Sequence, residues 1–137
     1  MVIENPSRQE IGKILKEKKR IAVVGLSDNP YRTSYMISEA MQKAGYEIIP
    51  VNPNIKSSLG VKAVSSLKEI EGHVDIVNVF RRSQYLPALA KEAVEIGADV
   101  FWAQSGVVNE EAYRYLKEND IIVIMDRCIK VEHAMTK

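Results

Sequence analysis

Short apolar runs alternate with segments of helical periodicity along almost the whole chain. The runs are rich in β-branched residues, and turn-forming residues separate them from the helical segments. Such alternation is typical of βαβ units, in which helices connect the strands of a parallel sheet. The predicted strands are residues 21–25, 46–51, a minimal third strand near 60–61, and residues 74–80, 100–103 and 121–125.

Polar residues whose side chains accept hydrogen bonds from backbone N–H groups start the predicted helices, and glycines end them. Ser7 and Glu10 have the spacing of a capping box and open an N-terminal helix. The other predicted helix starts are Thr33 or Ser34, Ser83, and Asn109. Gly45 and Gly97 are predicted to end the second and third helices.

Six strands joined by right-handed crossovers predict an α/β fold with a doubly wound, Rossmann-like parallel sheet in the order 3-2-1-4-5-6. The first and fourth strands are neighbours in this order, and the winding reverses between them. Ligands of such folds bind beyond the carboxyl ends of the strands at this switch point. The loops predicted to meet there are residues 25–34 and 80–83.

The composition is that of one globular domain over residues 1–137, with 46% hydrophobic and 27% charged residues. The net charge of +1 provides no overall field for a nucleic acid or a membrane, so any anion site must be local. The sequence shows no membrane-length apolar run and no signal peptide, and its single cysteine excludes an intrachain disulfide. These features predict a cytoplasmic location.

The loop after the first strand has the context of a phosphate-binding loop. Residues 25–34 read GLSDNPYRTS and lie between a strand and a helix, where free backbone N–H groups and the helix dipole attract an anion. Gly25 is the one glycine of this loop, so the GxGxxG fingerprint is absent. The alternative, in which Gly25 only turns the chain, stays open.

Arginines flank the predicted crevice. Arg81 and Arg82 follow the fourth strand, and Arg32 approaches from the first loop. Guanidinium groups match phosphate oxygens in bidentate geometry. The crevice position favours Arg81 or Arg82 as a phosphate ligand over a solvated surface role, whereas for Arg32 neither interpretation is favoured.

The end of the second strand lacks the acidic residue that binds the ribose 2′-hydroxyl in many dinucleotide-binding folds. Asn52, Pro53 and Asn54 occupy this position. The absence of a carboxylate disfavours NAD and leaves ligands with a phosphorylated ribose, which include CoA and NADP.

The loop over residues 103–109 lies on the same predicted face. Gly106 permits close approach of the backbone, and Gln104 and Ser105 offer hydrogen bonds to a ligand amide. A plain turn between a strand and a helix explains this loop equally well.

The sequence shows no pattern of catalytic residues. His73 and His133 lie outside the strand-end loops, His133 in a charged tail, and with Cys128 they give no metal-ligand spacing. Ser27 has no GxSxG context and no evident base. Cys128 follows the last strand, where a thiol can meet a ligand thiol, although a small buried cysteine is the favoured interpretation. A binding protein is therefore predicted in preference to an enzyme.

Several segments in combination carry a family resemblance, which covers the chain from about Gly12 to His133. They are residues 24–27 (VGLS), 49–53 (IPVNP), 79–82 (VFRR), 125–128 (MDRC) and 131–133 (VEH). In combination they resemble the small stand-alone bacterial CoA-binding proteins, which are similar to the CoA-binding domain of the succinyl-CoA synthetase alpha subunit.

The resemblance implies a Rossmann-like domain that binds CoA or acyl-CoA. By this analogy residues 25–28 line the nucleotide phosphates, residues 81–83 hold the nucleotide, residues 52–53 flank the adenosine, and residues 104–107 lie near the thiol. The candidate CoA-binding residues are Gly25, Leu26, Ser27, Asp28, Arg32, Ser34, Asn52, Pro53, Phe80, Arg81, Arg82, Ser83, Gln104 and Gly106. The synthetase has a phosphorylated active-site histidine and a further domain that this chain lacks, so ligase activity is not implied.

Two alternatives from other functional classes stay open. A small NADP-dependent oxidoreductase would share the fold and the anion site, but the sequence lacks its glycine-rich fingerprint and an evident proton donor. A regulatory or scaffold protein would have a vestigial nucleotide site, with Arg81 and Arg82 as ordinary surface residues. A protein partner or a homo-oligomer is compatible with each of these functions.

Overall fold

The computed structural model describes residues 3–137. Its strands are β1 (Arg20–Val24), β2 (Glu47–Val51), β3 (Ser57–Ser58), β4 (Val61–Lys62), β5 (Ile76–Val79), β6 (Val100–Ala103) and β7 (Ile122–Ile124). Five of them form a parallel sheet in the order β2-β1-β5-β6-β7. Strands β3 and β4 form a separate antiparallel hairpin.

Helices cover both faces of the sheet. They are α1 (Arg8–Glu17), α2 (Thr33–Lys43), α3 (Leu86–Glu95), α4 (Glu110–Glu118) and α5 (Ile129–Thr136), with short 3₁₀ helices at Leu67–Glu69 and Ser83–Tyr85. Ala22 and Val24 of β1 pack in a core layer with α3 and α4, whereas Ile21 and Val23 pack with α1, α2 and α5. Alternate residues of a strand point to opposite faces, which explains why buried parallel strands are apolar throughout. The predicted doubly wound α/β fold is confirmed.

The predicted strand order is wrong in detail, because the third strand does not join the sheet. Residues 60–61 belong instead to the turn and second strand of the hairpin. At the sheet edge where a third strand was expected, Val64 makes a single parallel bridge to Val51. The chain then enters the 3₁₀ helix that begins at Leu67, so the pairing extends no further.

Two of the predicted helix caps are confirmed. The side chain of Ser7 accepts the N–H of Glu10 at 3.2 Å, and that of Asn109 accepts the N–H of Ala112 at 2.9 Å. Each acceptor satisfies one of the backbone donors that a helix N-terminus leaves free. The predicted helix ends are also confirmed, since Gly45 and Gly97 follow α2 and α3 with φ of +103° and +69°.

The predicted caps of α2 and α3 are wrong. Helix α2 begins at Thr33 after Arg32, and no side chain caps it. The Ser34 hydroxyl instead accepts a hydrogen bond within the preceding loop. Ser83 lies in a 3₁₀ turn, and the residue that precedes the first turn of α3 is Tyr85.

The C-terminal segment is a helix rather than the expected charged tail. Helix α5 packs against α1 and α2 and buries Ile129. The carboxylate of Glu132, only 3% exposed, accepts hydrogen bonds from Arg8 of α1 at 3.1 and 3.3 Å. A helix this short depends on tertiary packing, which explains why the sequence pattern gave little sign of it. None of the helices over residues 3–137 combines the length and apolar character needed to cross a membrane.

Candidate functional site

Two adjoining cavities lie beyond the carboxyl ends of β1 and β5, at the switch point of the sheet. The larger, of about 550 Å³, extends from the end of β2 to α3, and the smaller, of about 440 Å³, extends to the N-terminus of α2. Gly25 and Phe80 line both cavities. We call this pair of cavities the cleft. It lies where the predicted topology brings the first two loops together.

Gly25 is the point of closest approach between these loops. Its φ is +88°, and its N–H donates to the carbonyl oxygen of Val51 at 2.9 Å. A Cβ atom at this position would lie 2.6 Å from the carbonyl oxygen of Phe80. Glycine is therefore required here by both the backbone conformation and the space available.

Side chains within the first loop satisfy several of its backbone N–H groups. The Ser34 hydroxyl accepts from the N–H of Ser27, and the Ser27 hydroxyl accepts from the N–H of Asn29, each at 3.0 Å. The Asn29 side chain accepts from the N–H of Tyr31 at 3.0 Å. The loop is thus ordered by its own hydroxyl and amide groups.

Two further candidates of the first loop have different environments. The side chain of Leu26 is fully buried and belongs to the core layer of α1, α2 and α5. Asp28 is exposed. Of the predicted loop residues, those that line the cleft directly are Gly25, Ser27, Arg32 and Ser34.

The end of β2 and the hairpin hold the first loop from outside. Asn52 donates from its side-chain amide to the carbonyl oxygen of Leu26 at 3.0 Å and also lines the larger cavity, together with Pro53. The hydroxyl of Ser58, in β3, donates to the carbonyl oxygen of Ser27 at 2.7 Å. Asn52 therefore faces the cleft and supports the first loop at once.

The three candidate arginines are exposed and occupy different positions. Arg81 lines the larger cavity, and its guanidinium carbon lies 4.3 Å from the ring centre of Tyr85, within cation–π range. Arg32 lines the smaller cavity. Arg82 lines neither. The structure thus separates two adjacent arginines that the sequence alone left equivalent.

Ser83 and Gln104 line neither cavity, and their side chains bond to other parts of the protein. Ser83 accepts the N–H of Val108 on its hydroxyl at 3.1 Å. Gln104 is 5% exposed, donates to the side chain of Asn78 at 2.5 Å and accepts from the N–H of Ile129 at 3.3 Å. These bonds engage both ends of the amide that had been expected to meet a ligand.

The loop over residues 103–109 is bonded to the loop that follows β7. The N–H of Gly106 donates to the carboxylate of Asp126 at 2.6 Å, and Gly106 has a φ of +81°. A Cβ on Gly106 would meet open space, so its φ and not a close contact is what favours glycine there. Cys128 is half-buried, carries a free thiol and precedes α5.

A cluster of charged residues lies at the opposite end of the sheet. The Nε2 atom of His73 is 3.0 Å from Asp99 and 3.5 Å from Asp75, and Lys18 donates to Asp99 at 2.9 Å. The hydrogen bond to Asp99 raises the pKa of Lys18. Burial raises the pKa of Asp99, but hydrogen bonds from His73 and Lys18 outweigh it and lower that pKa overall. Since an ammonium group already neutralises a carboxylate here, we describe the cluster as an ion-pair network.

The larger cavity also contains residues that were not among the candidates for CoA binding. They are Asn54, Ser65, Ser66 and Glu92, with the apolar Val24, Val51, Leu67 and Leu89. Ser65 and Ser66 reach the cleft because the bridge between Val51 and Val64 holds that segment beside β2. A single bridge between distant residues has no local sequence signal, so this part of the lining could not be predicted.

Comparison with known proteins identifies the family. The family described as CoA binding domain matches residues 19–134. The chain belongs to this family. YneT, an uncharacterized protein of Bacillus subtilis, is 68% identical over 135 residues, which cover 98% of this chain and 100% of YneT.

A solved structure and an enzyme subunit extend the comparison. The structure of cell-free ID.343 from Thermus thermophilus has a TM-score of 0.92 and 34% identity, and the match covers 96% of this chain and 100% of that one. The alpha subunit of the ADP-forming acetate–CoA ligase II of Pyrococcus furiosus is 31% identical over 102 residues. That match covers 72% of this chain but only 22% of the subunit, so the likeness is confined to one part of the enzyme.

Proposed function

We propose that this protein binds CoA or an acyl-CoA in the cleft, as a binding module without catalytic apparatus of its own. The observation that carries the proposal is the cleft itself: in a member of the CoA binding domain family, two cavities meet at Gly25 between an uncapped helix N-terminus and Arg81. A ligand with separate phosphate groups suits such a pair of cavities.

The diphosphate of CoA fits the smaller cavity. No side chain caps α2, and its first turn contains no acidic residue, so its backbone N–H groups and the helix dipole are available to an anion. Arg32 lines the same cavity and adds a positive charge. We therefore assign the diphosphate to this side of Gly25.

The adenosine and its 3′-phosphate fit the larger cavity. Asn52 and Pro53 line it at the end of β2, where polar groups can contact the ribose and the chain has no carboxylate to repel a ribose phosphate; the carboxylate that lines this cavity, Glu92, belongs to α3. Arg81 lines the same cavity and is held against the ring of Tyr85. A guanidinium group positioned in this way suits bidentate contact with a phosphate.

The direct test is calorimetric titration of the purified protein, stripped of ligand, with CoA, dephospho-CoA and NADP in parallel. We expect CoA to bind with a dissociation constant in the micromolar range or below, and NADP to bind at least about tenfold more weakly, a difference of about 1.4 kcal/mol. Binding of NADP without binding of CoA would refute the proposal and favour the oxidoreductase. Binding of neither ligand would favour a regulatory or scaffold protein.

Arg81→Ala tests the assignment of the 3′-phosphate. Loss of one charge-assisted contact of about 1.5–3 kcal/mol predicts CoA binding that is weaker by roughly ten- to hundredfold. Dephospho-CoA should bind the variant and the original protein alike, because it lacks the phosphate in question. Arg114→Ala, on the exposed side of α4, is the matched control. Equal losses for both ligands would place Arg81 away from the 3′-phosphate.

A further inference from the structure

The turn of the β3–β4 hairpin contains a backbone conformation that its residue disfavours. Leu59 has a φ of +53° and is followed by Gly60 with a φ of +75°. Two positive φ values in a two-residue turn are typical of type I′ hairpins, where asparagine and glycine are preferred. Leucine is uncommon in this conformation, and such positions persist where surrounding contacts fix them. The half-buried Leu59 packs against the core layer of α1, α2 and α5.

Hydrogen bonds connect this hairpin to the first loop and to α2, the helix that follows the loop. Next to Leu59, the hydroxyl of Ser58 is 4% exposed and donates to the carbonyl oxygen of Ser27 at 2.7 Å. The carbonyl oxygen of Leu59 accepts from the side-chain amide of Gln42 at 3.1 Å. Gln42 lies near the C-terminal end of α2, the helix that begins where the first loop ends. Loop, helix and hairpin therefore form a closed ring of contacts.

Both backbone polar groups of Ser27 are engaged within this ring. Its carbonyl oxygen accepts from Ser58, and its N–H donates to the hydroxyl of Ser34. These two bonds fix the peptide planes on either side of Ser27, and with them the direction of the loop beside the smaller cavity. Of the two, the bond to Ser58 is the one that comes from outside the loop and its helix.

We infer that the hairpin is a brace for the first loop, and that Ser58 is the positioning residue that holds Ser27 in its binding conformation. The inference rests on the proposed function, since it concerns how the same cleft is prepared for a ligand. Without the Ser58 hydroxyl the loop would spend part of its time in other conformations. The affinity for a ligand falls in proportion to the fraction of molecules that remain competent to bind.

The experiment compares Ser58→Ala with two matched variants. Ser58→Thr retains the hydroxyl, and Ser57→Ala removes an exposed hydroxyl from the neighbouring position of the same strand. Two quantities are measured for each protein: the dissociation constant of CoA by calorimetry, and the hydrogen-exchange rates of backbone amides in residues 26–34 without ligand. Urea unfolding of each variant verifies that the sheet is intact, which is expected because the hairpin lies outside it.

We expect Ser58→Ala to weaken CoA binding about five- to tenfold, the effect of one neutral hydrogen bond, and to accelerate amide exchange in the first loop. Ser58→Thr should restore both quantities, and Ser57→Ala should change neither. The inference is overturned if Ser58→Ala leaves loop exchange unaltered, or if Ser57→Ala has the same effects.

The exchange measurement separates failure of this inference from failure of the proposed function. If the original protein does not bind CoA, the proposed function is wrong, but exchange in the first loop still reports on the brace. Faster exchange in Ser58→Ala than in Ser57→Ala then supports the role of Ser58, and equal exchange refutes it. If the original protein binds CoA and Ser58→Ala binds it equally well, Ser58 does not position the site.

Discussion

At Gly25 the first loop passes so close to the end of β5 that no side chain fits between them. A Cβ would lie 2.6 Å from a backbone oxygen of Phe80, which cannot move without disturbing the strand it follows. Gly97, after α3, has a similar backbone conformation, with a φ of +69°, but has open space where its Cβ would lie. The two glycines thus separate the effect of conformation from the effect of contact.

Gly25→Ala is predicted to destabilise the protein more than Gly97→Ala. The left-handed conformation alone should cost Gly97→Ala about 1–2 kcal/mol of unfolding free energy. Gly25→Ala adds a steric conflict with backbone, for a total of roughly 2–5 kcal/mol. Urea unfolding of the two variants measures the difference. Equal losses would mean that the loops separate easily and that the close approach at Phe80 is unimportant for stability.

Single residues also mark where prediction from the sequence ends. The position of Gly25, directly after a strand and before a helix, allowed the meeting of the first two loops to be predicted. The direction of a side chain depends on packing that no local pattern encodes. For this reason Gln104, expected beside a ligand, is buried against Asn78, and the hydroxyl of Ser34, expected to cap α2, is bound to Ser27.

At the scale of elements, the sheet strands could be predicted because strands buried on both faces are apolar throughout. Two elements were missed or misplaced for a common reason, which is that distant contacts stabilise them. The strand predicted near residues 60–61 lies in the hairpin, and the sheet edge beside β2 has only the bridge of Val64 to Val51. Helix α5 is short and charged, and it is held by α1 and α2. Neither contact has a periodic signal in the chain.

The pair formed by Arg8 and Glu132 tests how α5 is held. Arg8→Ala leaves a buried carboxylate without its partner and should cost about 1–3 kcal/mol of unfolding free energy. Arg8→Ala combined with Glu132→Gln should be more stable than Arg8→Ala alone, because a neutral amide is less costly to bury than a charge. Urea unfolding measures both variants, with Lys13→Ala on the exposed side of α1 as the control. A double variant less stable than the single one would contradict this account.

At the scale of the whole molecule, one histidine links pH to the stability of the fold. His133 of α5 is half-buried and meets the ring of Tyr46 edge-on, with ring centres 5.6 Å apart. Burial lowers the pKa of His133 below its ordinary value of 6.5, and the positive charges of Lys137 and Lys19 lower it further. All three effects disfavour the imidazolium in the folded state.

His133 should therefore make the protein less stable as the solution is acidified. Well above pH 6.5 the ring is neutral in the folded and unfolded states, and its titration has no effect. As the pH falls through 6.5, the unfolded chain binds a proton that the folded protein does not, so the free energy of unfolding decreases until the pH passes the folded-state pKa. His133→Gln removes this titration. Urea unfolding from pH 8 to 5 should show the stability of the original protein falling relative to that of His133→Gln. Parallel curves would mean that His133 has the same pKa in both states, and that α5 leaves its imidazole as accessible to water as it is in the unfolded chain.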